Sequence, residues 1–243
     1  MEQIENIYVH IPFCSGKCVY CSFYSELYDE AQAGLFLEAL QREIESAASR
    51  YTICPKTIYI GGGTPSLLSP TQLRRLLGVI GSAFDLADLA EYSIEANPGT
   101  LPPEKVEILA EHGVNRISIG AQSMDGDVLS HMARRHTVSE TRHTVEALRS
   151  AGFNNIGLDL IACLPGVDEP KWKHTLREAI ALAPQHLSVY ALSVECGSLL
   201  YEMQQKRQWQ PIGTEKEQAA IAVAKSQLTE AGYDRYEISN YAQ

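Results

Sequence analysis

The stretch Cys14-Ser15-Gly16-Lys17-Cys18-Val19-Tyr20-Cys21 places three thiols within eight residues. It follows the apolar run Asn6-Ile7-Tyr8-Val9-His10, so this C-x3-C-x2-C loop leaves the end of a predicted strand. Thiols this close converge on one point, and the natural reading is a shared metal centre. Their count matters more than their spacing. Structural zinc takes four closed ligands, and iron–sulfur clusters are usually held by four cysteinates. Three cysteines leave one iron of a [4Fe-4S] cluster without a protein ligand, open to chelate a substrate. Three plainer readings stand beside that one: reduced core cysteines, part of a disulfide framework, or zinc with a distant fourth ligand such as His10. Thiolates suit zinc and iron–sulfur alike, so the loop alone leaves the choice open.

The chain has 243 residues, 45% hydrophobic and 21% charged, with a formal net charge of -10. That length suits one α/β barrel or two small domains. The acidic balance lacks the basic footprint of a nucleic-acid binder. Arg134-Arg135-His136 is the one short basic cluster and reads as a solvated turn. Six cysteines, half of them in one loop, are too sparse for a disulfide scaffold and argue for a reducing compartment. The start Met1-Glu2-Gln3-Ile4-Glu5 has no apolar targeting core, and no run approaches membrane-spanning length. The expectation is a cytoplasmic protein.

Strand and helix patterns alternate along the chain. Strands are predicted over 6–10, 56–60, 91–96, 115–119, 155–161 and 186–192. Helices are predicted over 31–48, 70–84, 103–112, 125–132, 139–151, 169–182 and 214–231, and residues 233–241 read as extended. Leu35, Phe36, Ala39, Leu40 and Ile44 form the apolar stripe of the first helix. Ser69 is the expected N-cap of the second, with Pro70 at its first position and Leu73, Leu76, Leu77 and Ile80 inward. Ile221, Ala224 and Leu228 face inward on the last. Six strand–helix repeats call for a parallel sheet with helical crossovers. They are two short of a closed eight-stranded barrel. A three-quarter (β/α)6 barrel fits, with a doubly wound open sheet as the alternative.

Each unusual polar or glycine-rich element falls near the C-terminal end of a strand, the edge where sites are built in either architecture. Gly61-Gly62-Gly63-Thr64-Pro65 removes side chains where a ligand approaches the backbone, or makes a tight turn. It is not a phosphate loop, because no G-K-[ST] follows. Glu95 lies inside an apolar strand, where an unpaired carboxylate is costly. Its plain reading is an ion pair with Arg116 or Arg134. Gln122, Arg134 and Asp159 each read singly as satisfied core or rim groups. Tyr8 and Ala191 read as packing.

The string YVHIPFCSGKCVYCSF over residues 8–23 resembles the signature of radical S-adenosylmethionine (SAM) proteins. It resembles most the branch containing oxygen-independent coproporphyrinogen III oxidase and the HemW-type haem chaperones. The resemblance extends over residues 8–241. It implies a [4Fe-4S] cluster on Cys14, Cys18 and Cys21 with SAM on the fourth iron. One-electron reduction, from a flavodoxin or ferredoxin, then cleaves SAM to methionine and a 5′-deoxyadenosyl radical. It also implies that Gly62, Gly63 and Thr64 bind the methionyl end of SAM. Glu95, Gln122, Arg134 and Asp159 match further SAM contacts, as do Tyr8 and the backbone of Ala191.

Two functions of different class remain. One is oxidative decarboxylation of coproporphyrinogen III. The other is binding haem and delivering it to apo-haemoproteins. The oxidase pattern has a further cysteine two residues after Cys21, where this chain has Phe23, and an extension before the first strand. Both departures favour the chaperone. Zinc-module and RNA-modifying readings rank below these. Relatives of both kinds carry a C-terminal domain, with an H-N-x-x-Y-W motif in the HemW type. The expectation is therefore that residues 1–243 form the radical SAM core domain of a longer family architecture. Cys163 stands where relatives more often have glycine, and it reads as a tolerated small residue or a thiolate for haem.

Overall fold

The computed structural model describes residues 3–243. The chain begins with β1 (Gln3–Ile11), then β2 (Phe13–Cys14), β3 (Glu26–Leu27), α1 (Glu30–Arg50) and β4 (Thr52–Gly62). A 3-10 turn (Pro65–Leu67) leads to α2 (Pro70–Ala83), β5 (Glu91–Ala96), α3 (Pro103–Glu111) and β6 (Arg116–Gln122). Next come α4 (Gly126–His131), α5 (Val138–Ser150), β7 (Ile156–Ala162), α6 (Glu169–Ala181) and β8 (His186–Ala191). The chain closes with α7 (Leu199–Gln205), α8 (Thr214–Glu230), β9 (Asp234–Arg235) and β10 (Asn240–Ala242).

The main sheet runs β1-β4-β5-β6-β7-β8-β10-β9. Its first six strands are mutually parallel, and β10 and β9 add antiparallel at the β8 edge. The extended tail is thus a small antiparallel edge. Alternation along the strands sorts the two faces. Ile58, Ile60, Ile94, Ile117, Ile119, Leu158, Leu160, Leu187 and Val189 are buried in one core with Leu73, Leu77, Val106, Val145, Leu176 and Leu228 of the helices. The intervening Tyr59, Glu95, Ser118, Asp159 and Tyr190 line one cavity on the opposite face. A doubly wound sheet buries apolar residues on both faces. A sheet covered by helices on one side and polar on the other is that of a partial barrel, as expected. Among the described residues it stays open between β1 and β9.

Local signals set the helix starts. Ser69 accepts from the Gln72 N–H at 3.3 Å and the Gln72 side chain returns to the Ser69 N–H at 3.1 Å, a full capping box. Thr137 and Glu140 make a second. Leu73, Leu76, Leu77 and Ile80 are all buried on α2, and Ala224 and Leu228 on α8, with Ile221 half-buried. The stripe of α1 is a correction. Its buried residues are Ala33, Leu37 and Ile44, with Phe36 and Leu40 packed beside them, while Leu35 is 60% exposed. The run Leu35-Phe36-Leu37 offers two phases, and packing against α2 selects the one with Leu37 inward. No helix among the described residues is long and apolar enough to cross a membrane.

Candidate functional site

The cavity occupies about 1050 Å³ at the C-terminal ends of the parallel strands. Its walls include Cys14, Cys18, Cys21, Gly62, Gly63, Thr64, Glu95, Gln122, Arg134, Asp159 and Ala191. Tyr8 is not in that wall. It is exposed, its ring stacks on Tyr59 at 6.1 Å, and its hydroxyl lies 3.2 Å from His10 Nδ1.

The cysteine loop is tied at several points. β2 pairs parallel with β3, joining the two ends of the loop. Lys17 Nζ donates to the Phe23 carbonyl at 2.5 Å and to Ser25 Oγ at 3.2 Å. The Val19 N–H donates to the Met132 carbonyl, and the Leu200 N–H to the Val19 carbonyl. Cys14 Sγ lies 3.6 Å from Thr64 Oγ1, and Arg134 Nη1 donates to Cys18 Sγ at 3.6 Å. Burial, before any other cause, raises the Cys21 thiol above its ordinary pKa. The thiols share one wall rather than a closed coordination shell. Among the described residues no group of three or more His, Cys, Asp or Glu stands at metal-binding spacing.

The triple glycine serves chain packing as much as ligand access. A Cβ on Gly63 would lie 2.6 Å from the Phe13 carbonyl oxygen, and one on Gly62 would meet His10 and the Ile11 carbonyl. Without those atoms, the Gly63 N–H donates to the Ile11 carbonyl at 2.8 Å and the Thr64 N–H to that of Phe13 at 2.7 Å. The glycine turn and the entry to the cysteine loop are thereby locked backbone to backbone. Only Gly62 of the three has positive φ, at 119°.

Glu95 corrects the expected ion pair. It accepts from the Tyr59 hydroxyl at 2.8 Å and the Gly62 N–H at 3.1 Å, and no arginine reaches it. Arg116 pairs instead with Glu91 at 3.6 Å. Burial raises the Glu95 pKa, opposed by the Tyr59 bond and reinforced by Asp159. Asp159 is raised by burial too, opposed by bonds from Ser188 and Ser118. Gln122 sits at φ 64°, where the β6–β7 register shifts.

Arg134-Arg135-His136 is not a solvated turn. Arg134 is half-buried and His136 is 6% exposed, donating to the Ala121 carbonyl, while Arg135 lies across Gly16. Cys163 is buried. Burial, with Glu217 nearby, pushes it up to about 11, so it is a neutral thiol at pH 7. Its φ of 67° lies in the left-handed region, where glycine is the least strained residue. Sequence reading assigned no role to two organising residues. Tyr59 holds Glu95, and Asn97 joins Arg134 to Thr64. Asn97 had a signal, since the Asn97-Pro98-Gly99 turn closes a strand at the site edge.

The donor set suits an iron–sulfur cluster. Three reduced thiols line one wall, a guanidinium faces Cys18, and His10 Nε2 and Arg134 Nε are buried without a partner. A family model for the radical SAM superfamily matches residues 8–179. The chain belongs to the radical SAM superfamily. Membership implies a [4Fe-4S] cluster and SAM. Among radical SAM relatives, the heme chaperone HemW of Bacillus subtilis is 37% identical over 242 residues, covering 99% of this chain and 64% of that protein. The heme chaperone HemW of Escherichia coli is 35% identical, covering 98% and 62%. The solved coproporphyrinogen III oxidase HemN of Escherichia coli superposes with a TM-score of 0.88 at 26% identity, covering 100% of this chain and 56% of that one. The chain thus spans less than two thirds of the length of these relatives.

Proposed function

We propose that residues 1–243 form a radical SAM core domain of HemW type, which works in haem binding and delivery to apo-haemoproteins. In this reading Cys14, Cys18 and Cys21 ligate the cluster, and SAM lies against Gly62, Gly63, Thr64, Glu95, Gln122, Arg134, Asp159 and Ala191. Tyr8 acts from outside that wall, through Tyr59 or His10. The carrying observation is the cavity, which draws all of these except Tyr8 from seven separate segments of the chain. When bound, the cluster and SAM supply reductive cleavage of a carbon–sulfur bond, with the electron coming from a flavodoxin or ferredoxin. The chain's own residues orient and desolvate. Glu95 accepts from a ligand ammonium or hydroxyl, Asp159 from hydroxyls, and Arg134, its Nη2 already spent on Asn97 and Gly120, offers positive charge and single N–H donors to an anionic group. The location proposed is the cytoplasm.

The chaperone is favoured over the oxidase by two supports. Phe23 replaces a fourth cysteine and stands 72% exposed beside the loop, and the curated relatives above are heme chaperones. The likeness to coproporphyrinogen III oxidase keeps an oxidase as the second reading. The test is anaerobic reconstitution of the full-length protein, followed by SAM, reductant and coproporphyrinogen III. The expected result is bound SAM, no decarboxylated porphyrin, and a stoichiometric haem titration. Protoporphyrinogen accumulating over several turnovers would overturn the chaperone reading. Replacing Cys18 by Ala is expected to abolish the visible iron–sulfur absorbance.

A further inference from the structure

Asn97 leaves β5 at the cavity edge, and its side chain uses both ends. Its Oδ1 accepts from Arg134 Nη2 at 2.7 Å, and its Nδ2 donates to Thr64 Oγ1 at 2.9 Å. Its own N–H donates to Ser66 Oγ at 3.3 Å, which holds the turn in place. Each partner then reaches a different cysteine. Arg134 Nη1 donates to Cys18 Sγ at 3.6 Å, and Thr64 Oγ1 stands 3.6 Å from Cys14 Sγ. The unbroken chain is Cys18–Arg134–Asn97–Thr64–Cys14.

Arg134 is fixed further by the Gly120 carbonyl at 2.5 Å. Gly120 has no side chain for good reason. A Cβ there would lie 3.0 Å from Asn97 Oδ1 and 3.4 Å from Arg134 Nη2. Arg134 makes no ion pair with a carboxylate among the described residues. Its Nη1 faces the Cys18 sulfur instead. A half-buried cation without a carboxylate partner is left to act on another anion brought beside it.

We propose that Asn97 is a positioning residue that holds the Arg134 charge against Cys18 and the Thr64 hydroxyl against Cys14, and so sets the reduction potential of a cluster on those thiolates. This rests on the cysteine ligation proposed above. Hydrogen bonds and positive charge at cluster sulfurs stabilise the reduced state and raise the potential. Asn97→Ala frees the guanidinium from its acceptor and removes the donor to Thr64. Asn97→Asp keeps the shape but pairs with Arg134 and cancels its charge.

The experiment reconstitutes wild type, N97A and N97D without oxygen. It measures iron and sulfide content, then the midpoint potential and electron paramagnetic resonance spectrum of the reduced cluster before SAM is added. The expected order of potential is wild type, then N97A, then N97D as the most negative, with altered g values in both variants. Apoprotein melting curves provide the folding control, and the isosteric N97D carries the measurement where N97A folds poorly. Clusters of wild-type potential and spectrum in both variants would overturn the inference and leave the ligation intact. Failure of the wild type to assemble a cluster would overturn both.

Discussion

Gly63 has no room for a methyl group. Its missing Cβ is the space through which the Ile11–Phe13 backbone approaches. Gly63→Ala is expected to cost about 2 kcal/mol or more through overpacking and lost backbone hydrogen bonds. Gly78, inside α2, has nothing within 4 Å of a built Cβ. Gly78→Ala is expected to stabilise by about 0.5–1 kcal/mol. Denaturant unfolding of the two variants checks both signs at once. Glu95 gives a prediction of a different kind. Burial disfavours its charge, but its two oxygens accept from Tyr59 and Gly62, so Glu95→Gln, which keeps one acceptor, is expected to cost the apoprotein about 1 kcal/mol at pH 7. The same change is expected to weaken SAM binding by about 10-fold or more, the loss of a charged hydrogen bond. Anaerobic calorimetry reads the affinity, and a melting curve reads the stability. The sequence pattern pointed to Gly63 and Glu95, but not to what each touches. That Glu95 meets a tyrosine and a glycine N–H instead of an arginine follows from strand register, which no local spacing encodes.

At the level of elements, helix ends were legible because capping is local chemistry. Ser69 and Gln72 form their reciprocal bonds within one turn. Ser69→Ala is therefore expected to cost about 1 kcal/mol, read as a shift of the unfolding midpoint with unchanged slope. The faces of helices were legible on α2, where apolar positions are sparse and leave one phase. On α1 they were not, because Leu35-Phe36-Leu37 satisfies two phases. The short α7 escaped sequence reading altogether. Its seven residues are anchored by one deeply buried side chain, Leu200, and by the Ser198 cap, too little for a periodic signal. The extended tail over 233–241 was legible, but not its division into β9 and β10 or their antiparallel pairing, since strands of two and three residues carry no alternation.

The whole molecule keeps two histidines uncharged. Burial and Arg134 bring His136 down to about 4, and burial and Arg116 do the same to His186. A folded pKa below the unfolded value near 6.5 gives stability that is present above pH 6.5. It is lost as pH falls toward 4. Each histidine contributes up to about 3 kcal/mol over that window. Glu95 and Asp159 have the opposite sign, because their raised values favour the folded state at low pH and lose that contribution as pH rises through the folded value. The net expectation for the apoprotein is a melting temperature that falls between pH 6.5 and 4.5. The decline should be shallower in the double variant His136→Gln, His186→Gln. A melting series across that range checks it, and an equal slope in both proteins would contradict it.

By itself the sequence determined the thiol count, the glycine turn, the strand–helix rhythm and the placing of polar residues at strand ends. Each of these is carried by neighbours within a few residues, and together they narrowed the fold to a partial barrel or a doubly wound sheet with the cysteine loop at one edge. Tertiary structure alone decided which face of the sheet stays polar, that the glycines admit another stretch of backbone, and that Asn97 links two cysteine partners. Those outcomes depend on strands that lie far apart in sequence coming into register. Register is a property of the packed sheet, set when the apolar side of every strand is buried together.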